Sequence, residues 1–484
     1  MTMGDIRNHS TSGTLQRTTL GPLGIGLVTL ILSTSGCGGG AAGPPPPTPT
    51  PAVTPTSRLM SLHDEVRVSG LDDRRFDQES YWAAVAPVLQ ASDLFRVEEV
   101  GRSGEGRPLR TVSFGNGPRS VLLWSQMHGD ESTASMALAD IYSLVARSPM
   151  DPLVRVILQG VTVHTLPMLN PDGAQRFQRR NAQGIDINRD ARALSTPEAR
   201  TLKAVRDRLS PEFGFNLHDQ GIGTRVGRTD RGVAIALLSP PFDDSREVND
   251  VRHRAMEVMG VMIGAMDPMV GGHITKYDDT FNPRAFGDLI TQWGTSTILI
   301  ESGGWENDPQ KQYLRKVNFV AILAALESIA RGSYQGVGRG AYLALPPNGR
   351  RVGDLLITGG TVVIPGLPAY QADLLIAYGE PLLERRGTIS DVGDLSEVEA
   401  RDTLSLLDLY IHPTEEALER VGGGVQIAPG APATFRVTRD MEGRELLWSF
   451  LGGPPEALRK EGLDRISQER TYSPPLEPQR REGP

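Results

Sequence analysis

Cysteine is all but missing from this chain. Its 484 residues include one, Cys37. No disulfide can close within the chain, and structural zinc sites built on several thiolates are excluded. A basic block is missing too. Lys and Arg total 50 against 58 Asp and Glu, for a formal net charge of −8. That balance argues against nucleic acid as a partner. Long hydrophobic runs are absent, and so are internal repeats. The apolar stretch at 20–32 falls short of the roughly twenty residues that span a bilayer. Histidine is scarce, with eight in all, so each one can be weighed.

The composition that remains is globular, 39% hydrophobic and 22% charged, in a chain long enough for more than one domain. Arg7 and Arg17 precede the short apolar run, and Ser33-Thr34-Ser35-Gly36-Cys37 follows it. A charged start, a short apolar core and small residues at its end describe a secretory signal. Small residues directly before cysteine resemble a bacterial lipobox, with Thr34 where leucine is usual. The resemblance implies that Cys37 carries a lipid and anchors the protein to a membrane at the cell envelope. Gly38 behind it leaves outer-membrane sorting open. Residues 38–56 read GGGAAGPPPPTPTPAVTPT, an extended, semi-rigid tether. The expected organisation is a signal over 1–37, a Pro-rich linker over 38–57, a catalytic domain over 58–332, a small β-rich domain over 338–450, and a disordered tail over 451–484.

Within 58–332 the patterns alternate. Helical spacing marks 81–94, 132–146, 196–209, 248–266 and 313–330. Short apolar runs at 109–114, 121–125, 153–158, 161–169, 213–217 and 295–300 predict strands. Asn116-Gly117 predicts a hairpin turn, and Thr196-Pro197-Glu198 a helix start. Such alternation predicts an α/β fold, a mixed central sheet covered by helices. The segment 354–364 reads as strand, turn, strand, with further strands at 372–377 and 433–437.

Polar residues gather where the strand-like runs end, the usual place for a site in an α/β sheet. His128-Gly129-Asp130-Glu131 follows one run and His218-Asp219-Gln220 ends another. Two imidazoles and a carboxylate form the ligand set of a catalytic zinc with one open position. By elimination His218 is the best third ligand. His9 and His63 lie near the start, His164 lies inside a strand, His253 is among helix charges, and His273 and His412 have loop-like settings. Asp219 is a candidate to orient an imidazole.

Between the half-sites stand Asn170-Pro171-Asp172-Gly173 and Arg179-Arg180-Asn181-Ala182-Gln183-Gly184-Ile185-Asp186-Ile187-Asn188-Arg189-Asp190. With Ile300-Glu301-Ser302 after them and Gly104-Glu105-Gly106-Arg107-Pro108 before, residues 75–330 resemble the zinc carboxypeptidase family, the carboxypeptidase A-like metallopeptidases. The resemblance implies a carboxypeptidase A-like sheet and a Zn2+ held by His128, Glu131 and His218. It implies Glu301 as general base, Arg179 (or its neighbour Arg180) as the oxyanion donor, and Asn188 and Arg189 as readers of a substrate carboxylate. Tyr277 stands where the family carries a mobile tyrosine over the substrate. Side-chain selection falls to 285–288, with Phe286 suiting apolar termini and Asp288 basic ones. The implied activity is hydrolysis of the C-terminal bond of peptides or peptide-like substrates with a free carboxylate. Alternatives are a zinc amidase on cell-wall peptides or acyl-amino acids, and an inactive lipid-anchored binding protein.

Overall fold

A computed structural model describes residues 53–351, 353–378 and 387–452. The expected signal with Cys37, most of the Pro-rich linker, and all but the first two residues of the expected tail lie outside the described residues. Among the described residues, no helix is long and apolar enough to cross a membrane.

The chain opens with α1 (Thr56–Val66), α2 (Gln78–Gln90), β1 (Arg96–Arg102), β2 (Pro108–Phe114) and β3 (Arg119–Ser125). Next come α3 (Thr133–Arg147), α4 (Pro152–Gly160), β4 (Val161–Leu166), α5 (Pro171–Arg176), α6 (Pro197–Leu209) and β5 (Phe213–Asp219). They are followed by β6 (Thr224–Val226), β7 (Ile235–Leu238), α7 (Asp250–Val270), β8 (Ile274–Lys276), α8 (Phe286–Gln292), β9 (Ser296–Ser302) and α9 (Gln312–Arg331). The elements α10 (Gly340–Leu343) and β10 (Asn348–Arg351) close this part.

Eight strands form one sheet in the order β1-β2-β4-β3-β5-β9-β7-β8. The β4–β3–β5–β9 centre is parallel, with antiparallel pairings at β1–β2, β2–β4 and β9–β7. The sheet is therefore mixed, as the alternating pattern predicts. One face packs Phe213, Phe215, Leu217, Ile298 and Ile300 against α3, α7 and α9. The other packs Leu122 and Trp124 against residues of α6 and α8. Helix α9 is buried nearly all round, mostly through apolar residues, as suits a helix sunk in a core.

Two local expectations are corrected. Residues 153–158 are helical, not a strand. Asp151 caps α4 by accepting the Leu153 N–H, Pro152 starts it, and Leu153, Val154 and Ile157 bury one stripe. The β-branched residues misled because burial, not propensity, set the state. Asn116-Gly117 is no hairpin, because β4 inserts between β2 and β3. The Asn116 N–H donates to Leu158 O at 2.9 Å, and a side chain on Gly117 would start 2.1 Å from the Gly160 backbone. The glycine allows that close approach. Residues 354–364 hold two strands, as expected, β11 (Gly353–Thr358) and β12 (Thr361–Val362), and these enter different sheets.

The β-rich region continues with β13 (Tyr370–Gln371), β14 (Asp373–Ala377), β15 (Thr388–Gly393), β16 (Ala400–Ser405), β17 (Tyr410–Pro413), β18 (Leu418–Val421), β19 (Gly424–Ile427), β20 (Thr434–Thr438) and β21 (Leu446–Leu451). Sheets β15-β14-β11-β16 and β13-β12-β17-β20-β21 share a core of Leu355, Ile357, Leu374, Ile376, Ile411, Phe435 and Trp448. These sheets begin at Gly353, not at 338. The stretch before them belongs to the larger body: Tyr342 of α10 is buried in its core, and β10 pairs with β6.

Candidate active site

Strand alternation decides which side chains meet. On β5, Phe215 and Leu217 enter the core under α3 and α9, so Asn216 and His218 face the opposite side. On β9, Ile298 and Ile300 do the same, so Leu299 and Glu301 face with His218. The parallel register sets His218 directly beside Glu301, and β7 sets Ala236 on the other flank. All of this lies at the carboxyl ends of the central strands.

The turn after β3 supplies the other half. Glu131 N donates to His128 O, closing a tight turn that aims both side chains one way. The turn sits flush on α5: a side chain on Gly129 would start 2.0 Å from Gly173. Asn170 caps α5 by accepting the Gly173 N–H at 2.9 Å, and its Nδ2 donates to Arg179 O at 3.3 Å. Asp172 accepts from Ser103 Oγ and Arg107 Nη1, both at 2.7 Å, tying the β1–β2 turn to the same block. Each sequence block thus braces the next.

His128, Glu131 and His218 converge, with one potential ligand atom from each within 4.8 Å of the others. Nδ1 of His128 lies 2.7 Å from Glu131 Oε1, and Nδ1 of His218 lies 2.7 Å from Oε2. All three are buried. Burial opposes a charge on His128, but Glu131 and Asp186 outweigh it and raise its pKa to about 9. Burial would raise the Glu131 carboxyl, yet the two imidazoles hold it well below the carboxylate range. Glu301 is pushed well above that range by burial and then by the Glu131 charge. Two imidazole nitrogens and a carboxylate facing one point fit a divalent metal.

Arg179, not Arg180, faces this cluster. Its Nη1 is 3.1 Å from His128 Nδ1 and 3.3 Å from Glu131, while Arg180 bonds the Gly184 carbonyl at the surface. Asp186 escaped the sequence reading. It lies 3.1 Å from Nε2 of His128 and accepts from Arg179 Nε at 3.0 Å, so it orients both. An acid two places before Asn188-Arg189 was the available signal. Asp219 does not orient an imidazole. Its carboxylate accepts from Thr133 Oγ1 at 2.7 Å and pairs with Lys311 at 3.2 Å, while its backbone N–H steadies Glu131 at 3.2 Å. His412 lies in β17 rather than in a loop.

A cavity of about 1030 Å³ opens over the cluster, and Asn188, Arg189, Tyr277 and Glu301 line it. Asn188 accepts the Phe286 N–H at 2.9 Å, and its Nδ2 approaches His218 Nε2 at 3.5 Å. Tyr277 follows β8, and the Glu301 charge, with burial, raises its pKa to about 12. Of residues 285–288, Phe286 is fully buried in the core, while Ala285, Gly287 and Asp288 line the cavity. Asp288 lines the cavity beside Ala285, Leu238, Pro240 and Leu299. Asp288 accepts the Asn282 N–H at 2.8 Å, and burial raises its pKa to about 7.

Residues 82–213 match the profile of the zinc carboxypeptidase family. Carboxypeptidase SOL1 of Arabidopsis thaliana is 30% identical over 108 residues, 21% of this chain and 22% of that protein. Carboxypeptidase M of Mus musculus is 28% identical over 141 residues, 25% of this chain and 32% of that protein. The chain thus spans between about a fifth and a third of these relatives' length. Among solved structures, a metallo-carboxypeptidase from Burkholderia cenocepacia aligns with TM-score 0.40 at 21% identity, over 52% of this chain and 70% of that one.

Proposed function

We propose that this chain, which carries a zinc carboxypeptidase domain over residues 82–213, is a zinc-dependent metallocarboxypeptidase. It removes the C-terminal residue of peptides. One observation carries the reading: His128, Glu131 and His218 converge with Glu301 in register beside them. These three would hold the metal. Zinc, when bound, supplies a Lewis acid that polarises the scissile carbonyl and makes water nucleophilic near neutral pH.

The chain's own groups do the remaining work. Glu301 accepts the proton of the attacking water at its carboxylate and passes it to the leaving amine. Burial and the Glu131 charge raise its pKa, and a cation bound beside it would offset that repulsion and keep the carboxylate ionised to act as the base. Arg179, fixed at Nε by Asp186, keeps a side chain 44% exposed to the cleft and donates to the developing oxyanion. Arg189 binds the substrate's free carboxylate with its planar fork. Asn188 accepts the Phe286 N–H at its Oδ1, which fixes the carboxamide and leaves Nδ2 as the donor that joins Arg189 on the carboxylate. Tyr277 covers the bound residue. Asp288 selects a basic side chain at that terminus. A lipid on Cys37 and the Pro-rich spacer after it would hold this body at the cell envelope.

The test compares peptides with free and amidated C-termini. The protein is expected to cleave the free set alone. Glu301→Gln should keep about one zinc per chain and lose on the order of 10²–10⁴ in kcat. Hydrolysis that ignores the free carboxylate would instead support an amidase acting on cell-wall peptides or acyl-amino acids.

A further inference from the structure

The pairing that sets His218 beside Glu301 continues for one more step. Asp219 lies in register with Ser302, and Gln220 N donates to Ser302 O at 2.9 Å. Strand alternation turns Asp219 and Ser302 to the face opposite His218 and Glu301. There Thr133 of α3 donates to Asp219 Oδ2 at 2.7 Å, and Asn318 of α9 donates to Ser302 Oγ at 2.9 Å. Lys311, the residue before α9, reaches both strands. Its Nζ lies 3.2 Å from Asp219 Oδ2 and donates to Ser302 O at 2.9 Å, with Gln220 O at 3.5 Å.

Two properties of this lysine are unfavourable on their own. It is 2% exposed, and a lysine is almost never buried without a partner, because its ammonium gives up water. Its backbone is left-handed, at φ 50° and ψ 32°, where a side chain is disfavoured and glycine sits without strain. Starting the helix does not require it. Asp308 accepts the N–H groups of Gln312 at 2.7 Å and Tyr313 at 2.9 Å, so the first turn is already capped. Asp219 has a second cation in view as well, since Arg74 Nη1 stands 3.8 Å away. What Lys311 adds is a single side chain bonded to both strand ends.

We propose that Lys311 is a positioning residue of the active site: by bridging Asp219 and Ser302 it fixes the spacing of His218 and Glu301, the pair immediately before them. Two connections carry the effect. Asp219 N–H donates to Glu131 Oε2 at 3.2 Å, so the bridged end also sets the Glu131 carboxylate. Ser302 follows Glu301 directly, so a held Ser302 carbonyl limits the movement of the Glu301 backbone. The assignment rests on the hydrolase reading for the role of Glu301.

The experiment uses the full chain and three variants. Lys311→Met keeps the length of the side chain and removes the ammonium. On a peptide with a free C-terminus its kcat should fall about ten- to a hundredfold, with KM within about twofold of wild type and about one zinc per chain retained. A stranded Asp219 charge can unfold that variant, so Lys311→Met/Asp219→Asn is the second. It should fold, bind zinc and show the same loss in kcat. The third is Lys311→Ala with added n-propylammonium. Lys311 lines the cavity, so the amine can enter and replace the missing stem and charge. It should restore kcat saturably, while tetramethylammonium at equal concentration does nothing. Unchanged kcat, a loss carried by KM, loss of zinc together with activity in both methionine variants, or a loss the amine leaves in place would overturn the proposal. If the wild type cleaves no peptide, the hydrolase reading fails and amide hydrogen exchange decides the bridge. Lys311→Met should speed exchange at 216–220 and 299–303, and unchanged protection there would refute it.

Discussion

Asp288 carries the proposed selection of a basic terminus, and its burial sets the pH at which that selection would act. It is 7% exposed, it lines the cavity, and burial lifts its pKa to about 7. Above that pH it is a carboxylate, and it attracts a lysine or arginine terminus. As pH falls through about 7 it takes a proton and the attraction fades. KM for a basic terminus should therefore rise on acidification, while KM for an apolar terminus stays flat. Asp288→Asn should remove this pH dependence and weaken the basic substrate about tenfold or more. The Asn282 N–H that Asp288 now accepts finds an acceptor in the asparagine oxygen as well. Steady-state kinetics between pH 5.5 and 8.5 checks both statements. A preference for apolar termini in the unaltered protein would dismiss the role.

Short elements, more than long ones, hold the site in place. The six-residue α5 carries the Asn170 cap, the Gly173 surface under Gly129, and Asp172 under the β1–β2 turn. Asn170→Ala removes a cap worth about 1 kcal/mol and frees the Arg179 carbonyl. We expect a loss of that order in denaturant unfolding, with kcat falling more than KM rises because Arg179 loses its fixed position. Unchanged kcat would separate the cap from the chemistry. The same scale shows what could be read in advance. His128, His218 and Glu301 were legible because each closes an apolar run, and the ordered blocks between them narrowed their meaning. Asp186 was not, because its partner His128 is 58 positions away and only tertiary structure brings them together. The helix at 152–160 was hidden by β-branched residues that read equally well as a strand. The insertion of β4 between β2 and β3 is a matter of topology, and no local pattern encodes it.

At the scale of the molecule, two hydrophobic cores part near Gly353. A chain ending at 337 would lose Tyr342, whose buried ring contributes about 3–5 kcal/mol by analogy with aromatic deletions, and would lose β10. It should melt several degrees lower. A chain ending at 352 should keep the stability of the larger body. Thermal melts of the two, side by side, test the boundary, and equal melting would contradict it. At the other end, the proposed lipid anchor predicts that Cys37→Ser moves the protein from the membrane fraction to the soluble one. Retention in the membrane would argue against lipidation.

The pairing of His218 with Glu301 also bears on the order of folding. The two residues are neighbours in register across β5 and β9, yet 83 positions apart in sequence, and Glu131 lies 87 positions before His218. Parallel pairings between such distant segments form slowly, because long loops must close before any contact rewards them. Until β9 docks, Glu301 and the His128–Glu131–His218 cluster belong to separate pieces of chain. On the proposed reading, a nascent molecule thus holds every residue of the site before it has any activity.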